Sequence, residues 1–169
     1  MLCLIAKLDE LARERLAELR RMAAERLGAA SGSLYGHITL ATYIGGDEDA
    51  FAASCREMLC RRAPFSVYYE KIEVLEESQI IVASPQNAGE LARIHRDIAA
   101  RWEAELDEWT QMARWQPHTT LLYKPGIDLY PLAAELAEAF SPFWARVERL
   151  ELSRVTDDGY RIIDGIDLR

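Results

Sequence analysis

Several absences narrow what this sequence can be. Cysteine occurs only at Cys3, Cys55 and Cys60, an odd count with no C-x-x-C pair, so neither a disulfide framework nor a zinc knuckle is expected. The three thiols read as small residues in or near the core. Basic charge is also short: 20 Lys and Arg stand against 28 Asp and Glu, a formal net charge of −8. A long nucleic-acid footprint needs a basic stripe to displace counterions, so DNA is not an expected partner. A small anion remains possible, because a local cluster of donors can outweigh a screened, distributed charge. No apolar run approaches the roughly 20 residues that span a bilayer. The apolar start Met1-Leu2-Cys3-Leu4-Ile5 lacks a basic n-region and a small-residue cleavage pattern. A cytoplasmic protein without a membrane partner is the expectation. Histidine is as scarce as cysteine, with only His37, His95 and His118.

What is present is core-forming material: half of the 169 residues are apolar. That length and composition suit one compact domain over 1–169, or two small lobes sharing a core. Residues 2–8 read as a strand. Over 9–28, Ala12, Leu16, Leu19, Ala23 and Leu27 recur at helical spacing, and Gly28 with Ser31-Gly32-Ser33 ends that helix. Leu34 to Tyr43 is strand-like. A helix follows with Phe51, Cys55, Met58 and Leu59 inward, and a strand over 65–75 turns at Glu76-Glu77-Ser78. The order then repeats. A strand (79–84) leads to a helix (about 87–109) carrying Leu91, Ile94, Ile98 and Trp102, and Pro117 to Tyr123 is again a strand. A helix with Leu129, Leu132, Leu136 and Phe140 leads to a strand at 145–154, and the Asp157-Asp158-Gly159 turn leads to one more at 160–168. The fold class expected is a duplicated, two-lobed α+β arrangement, lobes at about 1–78 and 79–169, with mixed or antiparallel sheets around a central cleft.

Each half carries His-x-Thr-Leu on its second strand, at His37-Ile38-Thr39-Leu40 and His118-Thr119-Thr120-Leu121, the histidines 81 positions apart. Residues i and i+2 of a strand share a face, so His37 projects with Thr39, and His118 with Thr120. If the halves pack about a pseudo-twofold axis, two imidazoles and two hydroxyls converge with no carboxylate between them. That set suits a phosphate diester. Hydroxyls donate to non-bridging oxygens, while paired histidines supply a base for water and an acid for the leaving oxygen. Zinc binding by His37 and His118 lacks a third ligand at a recognisable spacing.

Gly36-His37-Ile38-Thr39-Leu40 and Pro117-His118-Thr119-Thr120-Leu121 resemble the paired H-x-[ST]-hydrophobic motifs of the 2H phosphoesterase superfamily, which includes 2′-5′ RNA ligase-like proteins and cyclic phosphodiesterases. The resemblance covers essentially the whole chain. It implies a bilobal α+β fold, a metal- and cofactor-free site, and a small nucleotide or short RNA end with a 2′,3′-cyclic phosphate or 2′-5′ linkage as substrate. It also implies His118 as base toward water and His37 as acid toward the leaving oxygen. The RNA-ligase-like branch often has an arginine after its second motif. Leu122-Tyr123-Lys124 stands there instead, so Lys124 would contribute a point charge rather than a bidentate fork. Tyr43 and Tyr123 follow the motifs by six and five residues and are candidates to contact the substrate, by stacking a base, or else merely pack. The rival reading is a nucleotide sensor, or an RNA-processing accessory protein, keeping the same pocket without turnover. His95, on a helix and outside either motif, is expected at a boundary or the surface and without a catalytic role. Trp109 and Trp115 flank the approach to the second motif, with packing as their expected role.

Overall fold

In a computed structural model, which describes residues 1–28, 34–86, 88–156 and 159–169, the order strand, helix, strand, helix, strand occurs twice. The first pass is β1 (Leu2–Leu8), α1 (Glu10–Leu27), β2 (His37–Tyr43), α2 (Glu48–Leu59) and β3 (Phe65–Leu75). The second is β4 (Ile80–Gln86), α3 (Gly89–Trp102), β5 (Thr119–Tyr123), α4 (Tyr130–Ala139) and β6 (Phe143–Thr156), with β7 (Gly159–Asp167) appended. Local chemistry sets the boundaries. Asp9 caps α1 through the Ala12 N–H, and Gly28, at φ 59°, closes it by donating to Ala24 and Glu25. Asp47 caps α2 through the N–H groups of Asp49 and Ala50. The Ser31-Gly32-Ser33 stop and the Asp157-Asp158 turn lie outside the described residues. Among the described residues no helix is long and apolar enough to cross a membrane.

Among the described residues the strands join one seven-stranded sheet in which β2-β1-β6-β3-β4-β5 are neighbours in that order and β7 pairs with β6. Every pairing is antiparallel, which resolves the expectation of a mixed or antiparallel sheet. The third strand of each half lies with the other half: β3 extends β4 and β5, while β6 extends β1 and β2. A cut near residue 78 therefore halves the sequence but not the sheet. β3 and β6 pair Phe65 with Val147, Val67 with Ala145 and Tyr69 with Phe143. Residues 78 positions apart are thus exchanged by the pairing, and a pseudo-twofold axis passes between Val67 and Ala145.

One face of the sheet carries the helices and the main core. Leu4, Ala6, Leu16, Ile38, Phe51, Ile81, Ile94 and Leu136 are buried there. Cys3 and Ile5 point the other way and pack with Leu34. Cys55 is buried, whereas Cys60 is exposed, which corrects its expected place near the core: it caps the last turn of α2 facing solvent. The helix expected to reach 109 ends at Trp102, with a 3₁₀ turn over Glu103–Glu105. Beyond it the chain leaves helical geometry to run along β2, where Leu106 bridges Tyr43 and the Asp107 N–H donates to the Thr42 carbonyl at 2.9 Å.

The outermost strands of the sheet order, β2 and β5, meet at their first residues. A Cβ added to Gly36 would lie 3.1 Å from Leu16 Cβ and 3.3 Å from the Thr119 methyl. Both neighbours are buried and cannot yield. Gly36→Ala is therefore expected to destabilise the protein by about 1–3 kcal/mol, the usual cost of overpacking. Urea unfolding would show this as a lower midpoint at constant m; an unchanged midpoint would contradict the close apposition.

Candidate active site

The two motifs are built alike down to their irregularities. Ile38 and Thr119 are buried on the helix side, and Thr119 shares a 2.6 Å hydrogen bond with the Tyr69 hydroxyl. His37 and Thr39, and His118 and Thr120, accordingly take the opposite face. Opposite Leu4 and Ile5, β2 offers Ala41 and Thr39, leaving Leu40 as a bulge; opposite Ile81 and Val82, β5 offers Leu122 and Thr120, leaving Leu121 as a bulge. A bulge directly after the threonine re-aims the side chains before it.

Each imidazole is held the same way. His37 Nδ1–H donates to the Tyr35 carbonyl at 2.8 Å, and His118 Nδ1–H to the Gln116 carbonyl at 2.7 Å. A carbonyl can only accept, so Nδ1 carries the proton and Nε2 presents a free lone pair in the neutral ring. Burial lowers the His37 pKa below its ordinary value. Arg20 and the charge of His118 push the same way, against the Tyr35 carbonyl and Glu151. Crowding by protein also lowers His118, opposed by the Gln116 carbonyl and Glu73, although this ring keeps a solvent-exposed edge on the cleft. The charge of His118 reaches His37, and a Cβ built on Gly36 would lie 3.3 Å from the Thr119 methyl, so the starts of the two motif strands lie close to one another.

The expected absence of carboxylates is corrected. The same axis that relates the histidines relates Glu151 on β6 to Glu73 on β3. Glu151 is 4% exposed. It accepts from Lys7 Nζ at 3.1 Å, from Arg149 Nε at 3.3 Å and from the Tyr35 hydroxyl. Glu73 accepts from Lys71 at 2.6 Å and from the Ser84 hydroxyl. Burial raises the Glu73 pKa, but those two donors hold it below its ordinary value. Lys7 and Ser84 occupy matching register positions, opposite Arg149 and Lys71. The carboxylates thus lie beside the histidines already occupied by donors, and they temper the field rather than compete for a phosphate. The sequence carries their signal as a second repeat, Glu70-Lys71-Ile72-Glu73 and Glu148-Arg149-Leu150-Glu151, again 78 positions apart.

A cleft of about 1110 Å³ opens beside His118, lined by Trp109, Arg114, Gln116, Tyr123 and Tyr160 among others. Tyr160, from β7, also approaches the His37 ring at 6.4 Å between centroids. Of the expected substrate contacts, Tyr123 is in place, 66% exposed on the cleft wall. Tyr43 is not: it is 2% exposed and stacked on Phe51 at 4.6 Å, so it belongs to the core. Lys124 is exposed beyond β5 and does not line the cleft. Arg114 lines it instead, its guanidinium 5.0 Å over the Trp109 ring and ion-paired with Glu77 at 3.4 Å and Glu108 at 2.9 Å. His95 is neither boundary nor surface. It is 4% exposed, stacked on Trp115 and hydrogen-bonded to the Leu40 carbonyl. Among the described residues, no three His, Cys, Asp or Glu side chains are grouped so as to hold a metal ion.

The family model of the 2′-5′ RNA ligase superfamily matches residues 8–159, and the chain belongs to that family. This agrees with the 2H phosphoesterase resemblance. Among solved structures, TT0787 of Thermus thermophilus superposes with a TM-score of 0.70 at 19% identity, over 99% of this chain and 97% of that one. Apo LigT of E. coli gives 0.66 at 16% identity, over 99% and 96%. LigT complexed with 3′-AMP gives 0.62 at 18%, over 99% and 97%. Likeness at these identities shows a shared fold. A comparison with curated proteins found no match.

The electrostatics give a pH prediction. His37, His95 and His118 all have depressed affinity for protons in the folded chain. On acidification from about pH 7, the unfolded chain takes up protons near its ordinary histidine pKa of about 6.5, before the folded chain does. Stability should fall through that window, down to the depressed folded values. Urea midpoints at about pH 7 and pH 5.5 should show the decrease, and His37→Gln should reduce it. An equal or higher midpoint at the lower pH would contradict the assignment.

Proposed function

We propose that this protein is a metal-independent phosphodiesterase acting on a small nucleotide, or a short RNA end, that bears a 2′,3′-cyclic phosphate or 2′-5′ linkage. The observation that carries the reading is the equivalence of the two histidines, each on a bulged H-x-T-L strand, pinned at Nδ1 and free at Nε2. Membership of the 2′-5′ RNA ligase superfamily supports phosphoester chemistry, and LigT, of the same fold, has been solved with 3′-AMP.

In the proposed reaction, His118 Nε2 takes a proton from water as the water oxygen bonds to phosphorus. The bond from phosphorus to the ribose oxygen breaks on the far side, and that oxygen takes its proton from His37 Nε2. Thr39 and Thr120 donate to the non-bridging oxygens, where negative charge accumulates. The two rings sit in different fields: Arg20 and the charge of His118 oppose a proton on His37 and Glu151 supports one, while Glu73 supports one on His118. The nucleoside is accommodated in the cleft, where Trp109, Tyr123 and Tyr160 offer flat apolar faces for a base. The same pair run in reverse would join the ends, as a ligase does.

Turnover of 2′,3′-cyclic nucleotides and 2′-5′ dinucleotides should persist in EDTA. His37→Ala and His118→Ala should each lower kcat by roughly 10²–10⁴-fold, and the double variant should be little worse than either. Thr39→Val and Thr120→Val should each cost roughly 1–3 kcal/mol of transition-state stabilisation. A p-nitrophenyl diester, whose leaving group needs no proton, should restore turnover to His37→Ala but not to His118→Ala. Restoration of His118→Ala alone would reverse acid and base. A wild type that binds nucleotides and turns none over would replace the enzyme with a sensor.

A further inference from the structure

β2 is an outer strand, and the chain from 103 to 115, which belongs to the second half, lies along its free edge. The Ile44 N–H donates to the Glu105 carbonyl at 2.9 Å, and the Thr42 N–H to the Thr110 hydroxyl at 3.0 Å. At the other end of the strand, two side chains reach the carbonyls of the first motif itself. Trp115 Nε1–H donates to the Thr39 carbonyl at 2.9 Å, and His95 Nδ1–H donates to the Leu40 carbonyl at 2.9 Å. Their rings stack at 4.2 Å between centroids, 12° from parallel. His95 is 4% exposed, and its Nε2 has no hydrogen-bond partner among the described residues. A buried imidazole with one nitrogen unsatisfied costs free energy, and a hydrophobic side chain would fill the same space without it. The donor toward Leu40 is what the histidine adds.

Trp115 is followed directly by Gln116, whose carbonyl holds His118 Nδ1. A short route therefore joins the two motifs: Thr39 carbonyl to Trp115 indole, one peptide along to the Gln116 carbonyl, and on to the His118 ring. We infer that Trp115 and His95 form a clamp that sets His118 against the first motif, and that both are positioning residues for the two-histidine site. Neither lines the cleft beside His118, so the clamp governs the geometry of the reacting groups rather than substrate affinity. A displacement of about 1 Å in such a group can cost roughly a hundredfold in rate.

This inference rests on the two-histidine reading of the site, and its test includes a measurement that needs no turnover. Trp115→Phe keeps a ring against His95 and removes the N–H. It should lower kcat roughly tenfold to a hundredfold with KM changed by less than about twofold, and the imidazole ¹⁵N spectrum of His118 should pass from one Nδ1–H tautomer to a mixture. His95→Asn, which retains a donor near the Nδ1 position, should keep most of the rate and the single tautomer. His95→Leu should resemble Trp115→Phe, and it carries the test if that variant does not fold. Wild-type kcat with an unmixed His118 tautomer in folded Trp115→Phe or His95→Leu would overturn the clamp. So would a loss that merely follows the folded fraction. A wild type inert on every nucleotide would remove the enzymatic reading, and the His118 spectrum would still decide for or against the clamp.

Discussion

The antiparallel pairing of β3 with β6 is the constraint on which the rest depends. It joins a repeated unit to itself about Val67 and Ala145, and the six strands of the main path fall in matched pairs about that axis, with β7 added beside β6. β4 and β1 flank the central pair, β5 and β2 flank those, and the bulges at Leu40 and Leu121 fall at matching positions. The Glu148 and Glu70 irregularities beside the axis also match, each just before a basic residue that pairs with the glutamate two positions on, Arg149 with Glu151 and Lys71 with Glu73. Duplication with strand exchange thereby produces two equivalent imidazoles without any element having to be placed independently.

The proposed phosphoester hydrolysis needs an acid and a base, so two equivalent histidines have to be made unequal by what surrounds them. The departures from symmetry do this. Arg20 opposes a proton on His37, while the open cleft adjoins His118. Lys7 stands where the other half has Ser84, so the His37 side carries more positive charge around its glutamate. β7 has no counterpart in the first half, and it brings Tyr160 between the His37 ring and the cleft. The field around each ring is thus set by a few paired side chains rather than by the net charge of the chain.

Much of this was legible in the sequence because it is periodic. The i, i+2 spacing of His37 with Thr39 and of His118 with Thr120 gives the shared face, and helical spacing in α1, α3 and α4 gives the core. What was not legible depends on tertiary partners. Tyr43 has strand character on either reading, and only its stacking on Phe51 removes it from the cleft. His95 looks peripheral in the pattern of α3 because the ring that covers it, Trp115, arrives from a segment without regular structure. The helix overran to 109 on pattern because nothing in residues 103–109 marks the pairing with β2 that competes for their backbone groups. Glu73 and Glu151 were readable in principle from their repeated context, but carboxylates on strands usually signify a solvated face.

The central claim is that His37 and His118 form one phosphate site. Imidazole ¹H–¹⁵N spectra recorded while adding 3′-AMP test it most directly, since each ring reports separately and no turnover is needed. The account predicts that the Nε2 signals of His37 and His118 move together, with one common dissociation constant, while His95 Nε2, sealed in the core, stays still. Movement of only one of the pair, or of the two with different dissociation constants, would contradict it.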